Sequence, residues 1–403
     1  MIYQNLFVGI DVSKLKHDIA VMNEAKKLVR KPFVIKDDYA GYQYLLRTFD
    51  RFQQIYKTQK FHIGLEATSD YWKNIYYFLK KQSGAFSLTV LNPIRTKAFV
   101  KTELRRARTD AVAAKDIALF MIEKQPLPSI DRGAVLDSIK DLDSQMYAVK
   151  KQQTMIINKL RIELTKVAPE IEKSFASMKG KQLLALLQKF PTAEVIAKAS
   201  LDELAEIQYG KYNWSLPAPF IQKMKQLTQN SIAYKTGPGA GYVVQSLVRR
   251  LVETQQETEY LKQHLFEQYK IVNEHKSLLT SIPGISQQGA IVLEAFIGDV
   301  NRFPNAKKIV AYFGMNPTID SSGTSKKRRS HLQKKGSGIV RHKLYMAILS
   351  TIKSKDGPIY EYYARLVEAG KPKLVAMGAA MRKLLVIIYK MLMNQEEFNP
   401  NKM

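Results

Sequence analysis

The chain has 403 residues, 45% hydrophobic and 25% charged, a balance that suits two or three globular domains and excludes a disordered or fibrous protein. Its 63 Lys and Arg face 36 Asp and Glu, and the net charge of +27 attracts polyanions, so nucleic acid is the expected partner and an anionic membrane surface the weaker one. Cysteine is absent, which excludes disulfides and thiolate zinc sites.

Taken in chain order, residues 1–125 alternate strand-like and helix-like stretches. NLFVGIDV and HDIAVMN read as paired strands, KPFVIKD as a third, and DDYAGYQYLLRTF has helical spacing. FHIGLEA is a fourth strand, YWKNIYYFLKKQ a helix, FSLTVLNP a fifth strand, and short helices follow from Ile94. The order predicts a mixed α/β sheet flanked by helices. The opening MIYQNLFVGIDVSK lacks the basic region and long apolar stretch of a secretory signal.

Residues 126–275 read differently. From Ile139, apolar residues recur at spacings of three, four or seven as far as Val167, one long amphipathic helix stopped near Pro169. A second long helix runs from about Val244 to Leu265, with shorter helices between, one opened by a capping box at Ser200–Glu203. Two long helices returning past each other predict an antiparallel coiled-coil arm; a helical bundle is the other solution. From Lys276, LLTSIPGISQQGAIVLEAFIGDV predicts a helix-hairpin-helix, whose turn at Gly284 would offer backbone amides to a phosphate, or else a plain tight turn between helices. Near the end, LLVIIYKMLM is broken by Lys390 and too short to cross a bilayer, so a soluble cytoplasmic protein with no membrane partner is expected.

Asp11 lies inside an apolar strand, where a lone ionised carboxylate is costly unless a cation meets it or it caps a turn at the strand end. Glu66 closes the fourth strand, and Asp110 stands at the start of RTDAVAAKDIALF. If strands one and four are neighbours, the three acids can converge, and scattered oxygen ligands of this kind describe a Mg²⁺ site for phosphodiester chemistry. Lys101, Arg105, Arg106 and Arg108 precede Asp110 and would bring phosphates to it. Beyond MNPTIDSSG lies a second basic group, Lys326, Lys327, Arg328, Arg329, Lys334 and Lys335, with Arg341 after it, which would hold a nucleic-acid backbone or else form a solvated loop.

The ordered motifs GIDVSK, GLEAT, LNP, RTD-x-x-x-A-K-D-I-A, PGIS, FPNAKKIVAYFGMNP and KKGSGIVRHKLYMA resemble the DEDD transposases of the insertion-sequence one-ten family, with the related Piv-type DNA invertases. The resemblance implies a RuvC-like, ribonuclease-H-type domain over residues 1–125, a long-helix coiled-coil middle over 126–275, and a helical C-terminal transposase domain over 276–403. It implies a bacterial recombinase, associated with the nucleoid, that acts on donor and target DNA as a dimer or tetramer, guided by a structured noncoding RNA. An acidic tetrad binds Mg²⁺, and a serine attacks DNA; Asp11, Glu66 and Asp110 match three of the four acids. Ser322, before Gly323, matches the serine, with Ser321 the alternative. The fourth acid falls at position 113, which is alanine here, so the resemblance also admits an inactive nucleic-acid-binding form. Asp116 is set off that helical face. An actin-like ATPase shares the GID-x-S stretch, but no second glycine-rich phosphate loop is found.

Overall fold

Five strands, β1 (Asn5–Val12), β2 (Lys16–Asn23), β3 (Phe33–Lys36), β4 (Lys60–Glu66) and β5 (Phe86–Leu91), form one sheet in the order β3-β2-β1-β4-β5. β1 and β2 pair antiparallel, as do β2 and β3, whereas β4 runs parallel to both β1 and β5. The parallel strands are joined through helices, α1 (Tyr39–Tyr56) before β4 and α2 (Trp72–Lys80) before β5, as parallel pairing requires. α1 begins where the Asp38 side chain accepts from the Gly41 amide, and it lays Tyr42, Leu45, Phe49 and Phe52 on the sheet. The chain continues into α3 (Pro93–Thr102) and α4 (Asp110–Lys124). The computed structural model describes residues 3–67, 69–82, 86–102, 109–129, 133–273, 275–317, 332 and 336–400, and it divides into two compact units, Met1–Asp131 and Arg132–Met403.

α4 lies on the sheet because two neighbouring strands are bare beneath it. Gly9 of β1 pairs in register with Gly64 of β4. A Cβ on Gly9 would sit 2.5 Å from the Ala118 amide nitrogen and closer still to the Ala114 carbonyl oxygen. A Cβ on Gly64 would meet Met121 Cγ at 2.7 Å. Glycine here permits close backbone approach rather than an unusual turn.

The second unit opens with α5 (Ala134–Val167), the first long helix. Five short helices follow: α6 (Pro169–Ser174), α7 (Lys181–Lys189), α8 (Ala193–Lys198), α9 (Leu201–Ala205) and α10 (Ala218–Gln229). A small hairpin, β6 (Gln208–Tyr209) and β7 (Trp214–Ser215), interrupts them. α11 (Pro238–Val272) is the second long helix. Both long helices start earlier than their apolar spacing suggests, because the first turns at Ala134 and Pro238 precede the regular stripe.

The two helices run antiparallel: Ile139, Met146 and Val149 pack with Leu261, Leu265 and Tyr269, while Ile156, Leu160 and Leu164 share a core with Val244, Leu247 and Leu251. Between these apolar ends, buried Gln153 donates to the Thr254 carbonyl at 2.7 Å and to Thr258 Oγ1 at 3.0 Å. A satisfied polar layer of this kind fixes the register of one helix against the other.

After α11, a single 3₁₀ turn (Leu278–Ser281) leads into α12 (Gln287–Ile297). The first element of the expected helix-hairpin-helix is thus reduced to one turn, since Pro283 follows too soon for a longer helix. The rest is helical: α13 (Ala306–Tyr312), α14 (Gly338–Ser354), α15 (Pro358–Glu368) and α16 (Lys373–Asn394). α16 carries the apolar run from Leu384 and buries it in the core of this unit. Among the described residues, no helix is long and apolar enough to cross a membrane.

Candidate active site

Because side chains alternate along a strand, residues two apart share a face. Gly9 and Gly64 lie under α4, so Asp11 and Glu66 project on the same face, just beyond the glycines at the carboxyl ends of parallel neighbours. Asp110 is the first residue of α4. The Thr109 side chain accepts from the Val112 amide and starts the helix there. Three acids far apart in sequence thus reach one region from β1, β4 and α4. Among the described residues, however, no three His, Cys, Asp or Glu side chains are gathered closely enough to hold a metal ion.

Two further residues belong to this region. Asp18 of β2 stands directly opposite Asp11, and is 6% exposed. Lys16 Nζ lies 3.2 Å from Asp110 Oδ2 and 3.5 Å from Asp18 Oδ2, linking the helix to the β1–β2 hairpin. Burial, followed by the Asp110, Glu66 and Asp18 carboxylates, pushes Asp11 up to about 6, with Lys16 opposing the rise. Its hydrogen bond to Asp110, then the Asp18 charge, holds Lys16 above the ordinary lysine range. The donor set is therefore all carboxylate oxygen, self-repelling, and already drawing in one ammonium. That chemistry fits a hard divalent cation better than a soft one. Closing the acids round one ion would displace the ammonium of Lys16.

Beside the acids opens a cavity of about 220 Å³, lined by Glu66 and Asp110, by Thr96, Lys97 and Val100 of α3, and by Ala113 and Asp116 of α4. Ala113 thus leaves a methyl group facing the space where a carboxylate is expected. Asp116, which sequence spacing sets off that face, lines the same cavity and is 7% exposed. Helical spacing set Asp116 aside, yet it shares this cavity wall with Ala113 and Asp110. Asp18 was missed because its place opposite Asp11 depends on the hairpin register, although the polar HD pair within HDIAV was the available signal.

Lys101 is exposed in the last turn of α3. Gly284 has φ +88° and approaches α14 so closely that a Cβ would come 2.6 Å from the Ala347 carbonyl. Arg341 donates to the Phe313 carbonyl at 3.2 Å and to the Gly336 carbonyl at 3.1 Å, tying the start of α14 to the segment after α13. Arg105, Arg106, Arg108, Ser321, Ser322, Lys326, Lys327, Arg328, Arg329, Lys334 and Lys335 lie outside the described residues.

A DEDD transposase model of IS110 matches residues 8–169, and one described as the transposase IS116/IS110/IS902 family matches residues 276–364. The chain is 24% identical over 298 residues to an uncharacterized 43.6 kDa protein of insertion element IS110 from Streptomyces coelicolor, covering 72% of this chain and 70% of that protein. It is 30% identical over 128 residues to the pilin gene-inverting protein of Moraxella bovis, covering 32% of this chain and 40% of that one. A T. thermophilus RuvC structure, in complex with Holliday junction substrate, aligns at 12% identity over 30% of this chain and 94% of that one, with a TM-score of 0.23. With two models of one family matching its first and last parts, and IS110 and IS116 proteins among its relatives, the chain belongs to the IS110 family of insertion-element transposases.

Proposed function

We propose that this transposase cuts and rejoins DNA at a Mg²⁺-dependent carboxylate centre, with Ser322 as nucleophile and a structured noncoding RNA as guide. The observation that carries the reading is the approach of Asp11, Glu66 and Asp110 from β1, β4 and α4 on one face of the first unit. The strand order β3-β2-β1-β4-β5, three antiparallel strands extended by two parallel ones, supports a ribonuclease-H-type, RuvC-like domain. In the second unit, 126–275 would serve as the arm and 276–403 as the transposase domain, assembled as a dimer or tetramer.

Mg²⁺, when bound, would stabilise charge developing on the phosphate and favour loss of the hydroxyl proton. Asp11, Glu66 and Asp110 would hold it, with the Thr109 cap fixing the helix turn that carries Asp110. The Ser322 oxygen would bond to phosphorus as a P–O bond of the strand breaks, and the hydroxyl proton would leave with water. Lys101, Arg105, Arg106 and Arg108 on one side would neutralise backbone phosphates. Lys326, Lys327, Arg328, Arg329, Lys334, Lys335 and Arg341, with amides near Gly284, would do so on the other. The charge of +27 supports a polyanionic guide as well as a DNA substrate.

The test is a covalent protein–DNA adduct on a denaturing gel, formed with Mg²⁺ on element-end DNA in the presence of RNA that co-purifies with the protein. Ser322→Ala and Asp11→Asn should each abolish the adduct while nucleic acid remains bound. An adduct that survives chelation of metal overturns the metal assignment. One that survives Ser322→Ala but not Ser321→Ala moves the nucleophile by one residue. A second reading is favoured by Ala113 in the cavity wall and by Lys16 between Asp110 and Asp18: a nucleic-acid-binding member without strand transfer. Absence of Mg²⁺-dependent strand transfer from a protein that binds DNA and RNA would select it.

A further inference from the structure

A second cavity, about 470 Å³, opens within the second unit between α5, α12 and α14, with Met146, Tyr147 and Ile339 supplying an apolar part of its wall. Lys150 and Lys343 border it, with the imidazole of His342, the amide of Gln288 and the first turn of α14 at Ser337 and Gly338. One acid, Asp143, sits at its floor, 3% exposed. Asp143 accepts from Lys343 Nζ at 2.6 Å and from Gln288 Nε2 at 3.0 Å. These bonds hold both donors in place and neutralise Lys343, which leaves the charge of Lys150 uncompensated in the wall.

We infer that this cavity is an oxyanion seat that takes a phosphate group of a nucleic-acid backbone where the arm joins the C-terminal helices. Three features converge on that ligand. The cavity wall carries more positive charge than its single buried acid balances. α14 is a 17-residue helix capped by Ser337, which accepts from the Val340 amide, and its first residues Ser337, Gly338 and Ile339 line the cavity, which sets the positive end of the helix beside it. Lys150 is pushed below the ordinary lysine range by partial burial and then by Lys343, with Lys179 and Lys262 adding and Asp143 opposing. An anion in the cavity relieves that repulsion. A carboxylate ligand would use two of these donors; a tetrahedral phosphate can use lysine, imidazole, side-chain amide and helix amides together.

This inference rests on the proposed nucleic-acid-binding role, and the experiment separates the two. Wild type, Lys150→Ala, His342→Ala and, as a control for charge alone, Lys151→Ala are compared in two assays. Lys151 neighbours Lys150 on α5 and is not in the cavity wall. In the first assay, inorganic phosphate is compared with chloride at equal ionic strength by thermal melting. Phosphate should raise the midpoint of wild type and Lys151→Ala, but not of the two cavity variants. In the second, binding of duplex DNA and of stem-loop RNA is measured against salt. Lys150→Ala should weaken it about tenfold and reduce the log–log slope by about one. If Lys151→Ala costs as much as Lys150→Ala, the loss is one of net charge and the seat is overturned. A phosphate shift without any change in slope assigns the seat to free phosphate and overturns the backbone assignment. No shift and no slope change in either cavity variant overturns the seat entirely. A wild type that binds no nucleic acid at all refutes the proposed function, while the phosphate assay still decides whether the seat exists.

Discussion

Substituting Gly9 with alanine places a methyl group against the backbone of α4. The new Cβ would lie 2.5 Å from the Ala118 nitrogen and closer to the Ala114 oxygen, where ordinary contact needs about 3.5 Å. Neither atom is the end of a flexible side chain, so the helix must retreat from the sheet by about 1 Å, opening contacts of Ile117, Ala118 and Met121. Overpacking of this kind costs about 3 kcal/mol, the upper end of the usual range, because backbone rather than side chain must yield. Gly64→Ala provides the contrast: its Cβ meets Met121 Cγ at 2.7 Å and Sδ at 2.9 Å, and a methionine side chain can swing aside for about 1 kcal/mol. The two tryptophans make the measurement selective, since Trp72 lies in the first unit and Trp214 in the second. In a Trp214→Phe background, urea unfolding followed by Trp72 fluorescence should rank wild type above Gly64→Ala and Gly64→Ala above Gly9→Ala. A Gly9→Ala protein as stable as Gly64→Ala would refute the close seating of α4 on β1, and with it the route by which Asp110 reaches Asp11.

Asp11 titrates at about 6 in the folded protein against an ordinary 3.8, so the folded state binds its proton more tightly than the unfolded one, and this group's contribution to stability falls as pH rises between those values. Asp11→Asn should accordingly stabilise the metal-free first unit at pH 7 and make no difference at pH 3.5, read by Trp72; equal effects at both would refute the cost that burial, and then the Asp110, Glu66 and Asp18 charges, place on an ionised Asp11. Ala113→Asp should raise Mg²⁺-dependent strand transfer by at least about tenfold, with little loss of nucleic-acid binding. If it changes nothing while Asp116→Ala abolishes activity, the fourth acid is Asp116. Asp143→Ala should destabilise the second unit by about 3 kcal/mol, because it strands the Lys343 charge at the cavity floor. Thermal unfolding followed by Trp214 in a Trp72→Phe background would show an unchanged midpoint if that pair is idle.

Short apolar runs were enough to find all five strands of the first unit, and in β1, β2 and β5 those runs are buried over most of their length. Asp11 and Glu66 were legible for the same reason: a carboxylate at the end of an apolar strand stands out. Their adjacency was conditional until β1 and β4 proved to be parallel neighbours. Asp18 and Lys16 were not legible, because the partner of each residue in a hairpin depends on the geometry of the short turn between β1 and β2, which composition leaves open. Gly9 and Gly64 looked like ordinary strand residues, and only the helix lying across them gives their pairing meaning. The cavity at Lys150 was out of reach altogether, since Asp143 and Lys343 are 200 residues apart and no local pattern links them.

The polar layer at Gln153 divides the paired helices α5 and α11 into two apolar grips, and α5 alone spans about 50 Å at 1.5 Å per residue. If the pair acts as the proposed arm, its length gives it leverage. Its base is clamped by Ile291, Val292 and Ala295 of α12, while the small helices α6–α10 ride at the far end. A rotation of about 10° at the base sweeps the far end through about 9 Å, close to three base-pair steps of duplex DNA. The Gln153 bonds resist sliding of one helix along the other, so a tilt of the pair as a unit would carry a displacement at the small helices to α12.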